Sequence, residues 1–185
     1  MTLTLKQRPS PSLAQSNSKE ITMYTGAKYD STLDTAEIAK RFRADVKEAL
    51  TNEARFLLHG RTSDAEKPRL PLGVKLSVRI ERYSGGSSIN VSIIDLPEGM
   101  SCPYSEAYLG YCAAGTHSSF GGERYIPEFK TLKLLLVQLL NAYNRDRSDS
   151  QVDYFDRRFY EHVELSSELG KTARYMVLAP TQEAA

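Results

Sequence analysis

Four aspartates and a histidine crowd the C-terminal third of the sequence in a pattern that can hold a metal ion. They are Asp146, Asp149, Asp153, Asp156 and His162. Clustered carboxylates bind Mg²⁺, and a bound metal ion can activate water for hydrolysis of a phosphodiester bond. The stretch also directly follows an apolar helical segment, where Asp, Asn and Ser commonly build turns and caps. The structural interpretation is therefore favoured, and a metal-dependent nuclease using Asp153, Asp156 and His162 stays the enzymatic alternative.

Cys102, Cys112 and His117 form a second group of residues able to bind a metal. Nine residues separate the two cysteines and four separate Cys112 from His117, which matches no zinc-finger or zinc-ribbon spacing. A structural zinc site also needs four protein ligands, and a fourth is missing from the pattern. We therefore predict free, partly buried thiols, no metal and no cofactor. No nucleophile–base–orienter set is recognisable either, so the sequence favours a non-enzymatic protein.

An alternating pattern gives the clearest β signal and the main candidate binding surface. Residues 74–81 and 88–93 alternate apolar and polar side chains around the turn Ser84-Gly85-Gly86-Ser87. This pattern predicts an antiparallel hairpin with one apolar face, and both glycines are expected to supply positive φ. The polar face combines cations with short hydroxyl and amide side chains, namely Lys75, Ser77, Arg79, Ser88, Asn90 and Ser92. Such a set suits contacts to phosphate or to a protein edge, and it equally suits plain solvent.

A long, glycine-rich loop follows the hairpin at residues 98–126. A short helix is expected at 106–113, but the loop otherwise lacks a regular pattern, and connections of this length are often functional. Tyrosine is a favoured contact residue at protein interfaces, so the tyrosines of this loop join the candidate surface. The candidate binding residues are therefore Lys75, Arg79, Asn90, Tyr104, Tyr108 and Tyr111.

Two long helices must position the hairpin and the loop. Asp34 is a helix cap with Glu37 as its capping-box partner, and the apolar residues that follow predict a helix over 35–50. A more apolar helix is predicted over 128–144, and its broad apolar surface suits either a central core element or a homodimer interface. A third strand is expected at 158–165. The predicted fold class is α+β, with a three-stranded, mainly antiparallel sheet packed against the two long helices.

Length and charge limit the classes of function. The 185 residues suffice for one domain, and we predict a disordered tail at 1–28 before a single α+β domain at 29–180, whose last short element is expected at 172–178. A net charge of +1 gives no bulk attraction to nucleic acid or membrane, so any electrostatic site must be a local patch. No apolar run is long enough for a signal peptide or a membrane span. The expectation is a cytoplasmic protein that does not contact a membrane.

Three segments, in this order, resemble a known domain family. They are residues 72–91, with the turn Tyr-Ser-Gly-Gly-Ser-Ser; residues 141–149, Asn-Ala-Tyr-Asn-Arg-Asp-Arg-Ser-Asp; and residues 153–163, Asp-Tyr-Phe-Asp-Arg-Arg-Phe-Tyr-Glu-His-Val. Together they resemble the large polyvalent protein-associated domains, specifically domain twenty-nine, over roughly residues 30–165. The resemblance implies an origin in phages, plasmids or other mobile elements and a counter-defence role. It implies no catalytic residue, and the loop at 98–126 is longer than the connection expected for the family.

The combined expectation is a non-enzymatic binding protein of phage or mobile-element origin. Two partners stay open: a host defence protein that the chain occludes, or nucleic acid. A helix beside a hairpin decorated with cations also suits double-stranded RNA, against which the even charge balance argues.

Overall fold

The computed structural model describes residues 23–51, 70–149 and 154–178. The helices in these ranges are α1 (Thr35–Ala49), α2 (Glu106–Ala113), α3 (Pro127–Asn141) and α4 (Ser167–Leu178), with a 3-10 helix at His117–Ser119. The strands are β1 (Tyr24–Thr25), β2 (Leu50–Thr51), β3 (Leu70–Pro71), β4 (Lys75–Tyr83), β5 (Gly86–Asp95), β6 (Arg145–Asp146) and β7 (Tyr160–Leu165). Each helix in the described part of the chain is too short or too polar to cross a membrane.

Helix α1 begins where the sequence predicts it and ends one residue earlier. The Asp34 side chain accepts a hydrogen bond of 2.7 Å from the Glu37 backbone N–H, which satisfies one of the unpaired donors of the first turn. The buried stripe consists of Ile38, Ala39, Phe42, Val46 and Ala49. Arg43 donates a hydrogen bond of 2.7 Å to the Val78 carbonyl oxygen, so the helix is fixed against strand β4 as well as packed on it.

The central sheet has three strands in the order β4-β5-β7. β4 and β5 form the predicted antiparallel hairpin, in which Arg79 lies opposite Asn90 and Val78 opposite Val91. β5 and β7 are parallel, so the prediction of a mainly antiparallel sheet is corrected to one pairing of each kind. The reason is the connection, because helix α3 crosses over between β5 and β7 and returns the chain in the same direction.

Only one of the two turn glycines has the backbone conformation predicted for both. Gly85 has a φ of +98°, which favours glycine over every residue with a side chain. Gly86 is the first residue of β5 and pairs with Tyr83 across the hairpin. A Cβ on Gly86 would lie 3.3 Å from the Tyr83 ring. The missing side chain of Gly86 therefore makes space for this ring, and it does not supply the positive φ predicted for the turn.

Helix α3 is the central core element. Its buried residues are Phe129, Leu132, Leu136, Leu139 and Leu140, and they pack with α1 and with the inner face of the sheet, where Ile89, Val91 and Ile93 lie. The helix spans 127–141 rather than the predicted 128–144. Just beyond it, the Tyr143 hydroxyl donates a hydrogen bond of 2.7 Å to Asp45, which ties α3 to α1.

Part of the predicted tail is an ordered part of the fold. β1 pairs antiparallel with β6, and the backbone N–H groups of Gly26 and Lys28 donate to the carbonyl oxygens of Asn144 and Ala142. The chain passes so close to the end of α3 that a Cβ on Gly26 would meet the Ala142 oxygen at 2.3 Å. The predicted boundary between a disordered tail and the domain, at residue 28, is therefore wrong for residues 23–28, which belong to the domain. Residues 1–22 lie outside the described residues.

The loop at 98–126 and the C-terminal helix form a second, smaller hydrophobic cluster. The expected helix at 106–113 is present as α2, and the short element expected at 172–178 is the second half of α4. Tyr104, Tyr108, Leu109 and Ala173 are buried at the contact between α2 and α4. The loop is therefore packed against the domain over much of its length, and it has its own core.

Candidate functional site

The hairpin register brings three rows of polar side chains onto one face of the central sheet. Each row crosses all three strands, because β5 pairs with β4 on one side and with β7 on the other. The rows are Ser77–Ser92–Glu164, Arg79–Asn90–His162 and Glu81–Ser88–Tyr160. We call these nine residues, together with Tyr83, the outer sheet face. Arg79, Glu81, His162 and Glu164 are exposed on it, while α1 and α3 pack against the opposite face.

Two of the three predicted hairpin residues lie in the middle row of the outer sheet face. Arg79 and Asn90 are cross-strand partners, and His162 of β7 extends their row. No ion pair involves Arg79 within residues 23–51, 70–149 and 154–178, so its charge is available on this face. Lys75 lies at the end of β4 beside a register shift and forms an ion pair of 2.8 Å with Asp95. The hydrogen bond to Asp95 raises the pKa of the Lys75 ammonium group.

An aromatic pair, which the sequence interpretation missed, lies at the end of the outer sheet face nearest the turn. The ring centroids of Tyr83 and Tyr160 are 6.4 Å apart and the rings are tilted by 41°. The Tyr83 ring lies over Gly86 and is still 49% exposed. The guanidinium group of Arg157 lies 5.4 Å from the centroid of the Tyr160 ring, a distance typical of a cation–π contact. The signal was present, since Tyr83 continues the polar alternation of β4 and Gly86 is its partner.

The tyrosines of the long loop do not all reach solvent as predicted. Tyr104 is 7% exposed and Tyr108 is 3% exposed, whereas Tyr111 is 44% exposed. The rings of Tyr104 and Tyr125 stack with centroids 5.6 Å apart, and Tyr108 packs edge-on against Phe120 at 5.4 Å. Burial raises the pKa of Tyr104 to about 12. The interpretation of Tyr104 and Tyr108 as partner contacts is corrected: both rings fill the core between α2 and α4.

A pocket of about 490 Å³ with a mixed apolar and polar lining lies at the end of α3, beside the β1–β6 ladder and the residues before strand β7. Its lining residues are Tyr24, Val137, Gln138, Asn141, Asp146 and Arg157. We call it the β7-edge pocket. Sequence reasoning missed it because its residues come from three separate segments, and one of them, Tyr24, belongs to the segment predicted to be disordered.

A buried amide holds the β7-edge pocket together. Asn144 is 1% exposed, and its amide nitrogen donates to the Phe159 carbonyl oxygen at 3.1 Å and to the Glu161 carboxylate at 3.3 Å. Its side-chain oxygen accepts a hydrogen bond of 2.9 Å from the Arg145 backbone N–H. Glu161 also lies 3.4 Å from Arg157. Asn144 therefore joins the end of α3 to β6 and to the start of β7.

The residues proposed for metal binding serve other contacts. Asp156 forms an ion pair of 2.7 Å with Arg145, and Asp146 forms one of 3.0 Å with Arg157. His162 is exposed on the outer sheet face, and Asp153 lies outside the described residues. Cys102 and Cys112 are free and half-buried. In the part of the chain that the structure describes, no three His, Cys, Asp or Glu side chains are grouped so that they could hold a metal ion.

The geometry thus provides two surfaces able to bind a ligand, the outer sheet face and the β7-edge pocket. Both use strand β7 and its flanking residues: Tyr160 and His162 belong to the face, and Arg157 lines the pocket. Comparison of the chain with protein-family models, with curated proteins and with solved structures finds no match. The function of either surface has to be argued from its chemistry.

Proposed function

We propose that this chain is a non-enzymatic binding protein whose outer sheet face holds a single-stranded nucleic acid. The observation that carries the proposal is the aromatic pair of the half-exposed Tyr83 and the partly exposed Tyr160, on the same face as the exposed Arg79 and His162. Exposed rings stack on unpaired bases of any type, and each stacked base contributes about 1–3 kcal/mol to binding. The short amide and hydroxyl side chains of the face suit contacts to the phosphate and sugar.

The burial of Tyr104 and Tyr108 weighs against the protein-partner alternative. Buried aromatic anchors usually dominate protein interfaces, and these two were among the three loop tyrosines expected in that role, of which only Tyr111 is exposed. Both are already enclosed by α2 and α4, so they contribute no surface to a partner. On the outer sheet face, by contrast, the Tyr83 ring is 49% exposed and Tyr160 is partly exposed, so a strand of bases can lie against them.

A single strand suits this face better than a duplex does. Stacking on a side chain needs an unpaired base, which a double helix does not present. Duplex binding instead depends on many phosphate contacts, and the outer face carries Glu81 and Glu164 as well as Arg79 and His162. Binding should therefore depend on aromatic stacking more than on charge. The phage or mobile-element origin and the counter-defence role stay predictions that the family resemblance alone supports.

The proposal is tested by fluorescence anisotropy with a labelled 12-nucleotide single strand and the same sequence as a duplex. We expect the single strand to bind more tightly, with a salt slope no steeper than about −1.4 if Lys75 and Arg79 each contact one phosphate. Reversing both charges, Lys75→Glu with Arg79→Glu, should weaken binding and flatten the slope. The matched control is Lys40→Glu with Lys47→Glu, which reverses two exposed charges on α1. Tighter duplex binding, or no binding to either form, would refute the proposal.

The nuclease alternative is tested with the same binding reactions. After incubation with Mg²⁺, the strand is run on a denaturing gel. We expect full-length strand throughout. Shortened products from the wild-type chain, absent with Asp156→Asn, would replace the binding function with metal-dependent cleavage.

A further inference from the structure

The β7-edge pocket is an open cleft whose volume is that of a small-molecule site. Its volume of about 490 Å³ lies within the range of about 300–1,000 Å³ typical of small-molecule pockets. The Tyr24 ring and Val137 supply apolar surface, while Gln138 and Asn141 supply primary amides, which both donate and accept hydrogen bonds. The Tyr24 hydroxyl donates a hydrogen bond of 2.7 Å to the Asn141 carbonyl oxygen, which fixes the position of that ring.

The positive charge that lines the pocket, on Arg157, is already paired with carboxylates. The Asp146 and Glu161 carboxylates both contact Arg157, so two negative charges face one positive charge. Partial burial, and then the Glu161 carboxylate, raise the pKa of the Tyr24 phenol, as expected for a negative environment. An anion would have to compete with these two carboxylates for Arg157. A neutral ligand with its own donors and acceptors is the chemical class that fits.

Arg157 and Gln138 select among neutral heterocycles. An arginine guanidinium pairs with the O6 and N7 acceptors of guanine, and a glutamine amide pairs with N6 and N7 of adenine. The Arg157 Nε lies 3.0 Å from Asp146 without a hydrogen bond, and one terminal nitrogen of the guanidinium group donates to the Glu161 carboxylate at 3.4 Å. The pocket therefore presents the two side-chain types that read the edge of a purine.

Arg157 also connects the pocket with the outer sheet face. It lines the pocket, and its guanidinium group lies over Tyr160, whose ring is 6.4 Å from Tyr83. We propose that the β7-edge pocket takes up one unstacked purine base of the single strand bound on the outer sheet face. The binding of the strand in this inference rests on the proposed function, whereas the recognition of a purine by the pocket does not.

The first measurement uses free nucleosides and needs no bound strand. Adenosine, guanosine, cytidine and uridine are titrated into the isotope-labelled chain, and amide chemical shifts are followed by NMR. We expect the two purine nucleosides to shift the Val137 and Gln138 signals, and we expect smaller shifts from the pyrimidines. In Gln138→Ala the purine preference should disappear. Leu134→Ala, an exposed position one turn earlier on α3 that does not line the pocket, is the matched control.

The second measurement uses a purine-containing 12-nucleotide strand in which each base in turn is replaced by an abasic site. We expect the abasic site at one position to lower the affinity at least tenfold in the wild type and in Leu134→Ala. In Gln138→Ala no position should have this effect. A strand that binds without such a position would overturn the pocket inference and leave the proposed function standing. Nucleosides that bind at Gln138 without any strand binding would overturn the proposed function and keep a purine site. Failure of both would overturn both.

Discussion

Replacing Tyr83 by alanine tests the stacking argument directly. The ring is 49% exposed, lies over Gly86 and contacts Tyr160, so its removal takes away an exposed aromatic surface without opening the core. A base stacked on this ring contributes about 1–3 kcal/mol, which corresponds to a roughly 5- to 150-fold rise in Kd for the single strand. The cross-strand contact itself is worth about 0.2–1 kcal/mol, so the free energy of unfolding should fall by no more than that.

The measurement is fluorescence anisotropy of the labelled single strand at fixed salt, beside urea unfolding of each variant. Tyr83→Phe keeps the ring and should bind within about twofold of the wild type, because stacking does not need the hydroxyl group. Tyr111→Ala removes a tyrosine of similar exposure from the loop and should leave Kd unchanged. Wild-type affinity in Tyr83→Ala, with normal stability, would show that the aromatic pair does not bind the strand.

Three further predictions concern stability. Gly85→Ala should lower the free energy of unfolding by about 1 kcal/mol, because alanine is strained at a φ of +98°, and an unchanged urea midpoint would contradict this. Asn144→Ala should cost about 1–3 kcal/mol, because it leaves the buried Phe159 carbonyl oxygen without this donor; thermal unfolding measures the loss, and a change below about 0.5 kcal/mol would contradict it. Since the pKa of Tyr104 is raised to about 12, the folded state holds this proton more tightly than the unfolded state, so stability is full below pH 10 and falls as pH rises toward 12. Tyr104→Phe should show a shallower alkaline loss, and the same slope in both proteins would refute the assignment.

Local patterns predicted the elements that depend on local chemistry. The cap at Asp34, the stripe of α1, the apolar face of α3 and the antiparallel hairpin all follow from residues close together in the chain. Strand β7 was found at nearly the right place, but its parallel pairing was not predicted. Which neighbour a strand joins depends on the path of the intervening helix, and alternation within six residues carries no information about that path.

Burial of the loop tyrosines was not predictable because the sequence indicated only the second half of α4, the helix against which they pack. Tyr104 and Tyr108 pack against α4, which begins at Ser167 and not at the predicted 172. The order of residues 23–28 was missed for a related reason. Those residues are held by backbone hydrogen bonds and by the close approach of Gly26 to α3, and neither leaves an apolar pattern in the sequence.

Tyrosine therefore has two opposite roles in this chain, as a buried core residue and as an exposed surface residue. The contacts of each ring decide which role it has. Ser88 lies on the outer sheet face next to Tyr160, yet it is only 3% exposed, so the aromatic pair also shields the sheet beneath it. Shielding alone does not require a glycine at position 86. Because Gly86 has no Cβ, the Tyr83 ring lies down on the strand, and half of its surface stays open to solvent. A side chain at 86 would push the ring away by a few tenths of an ångström. The glycine thus leaves one ring of the tilted aromatic pair open to solvent, and an open ring is what a base needs in order to stack.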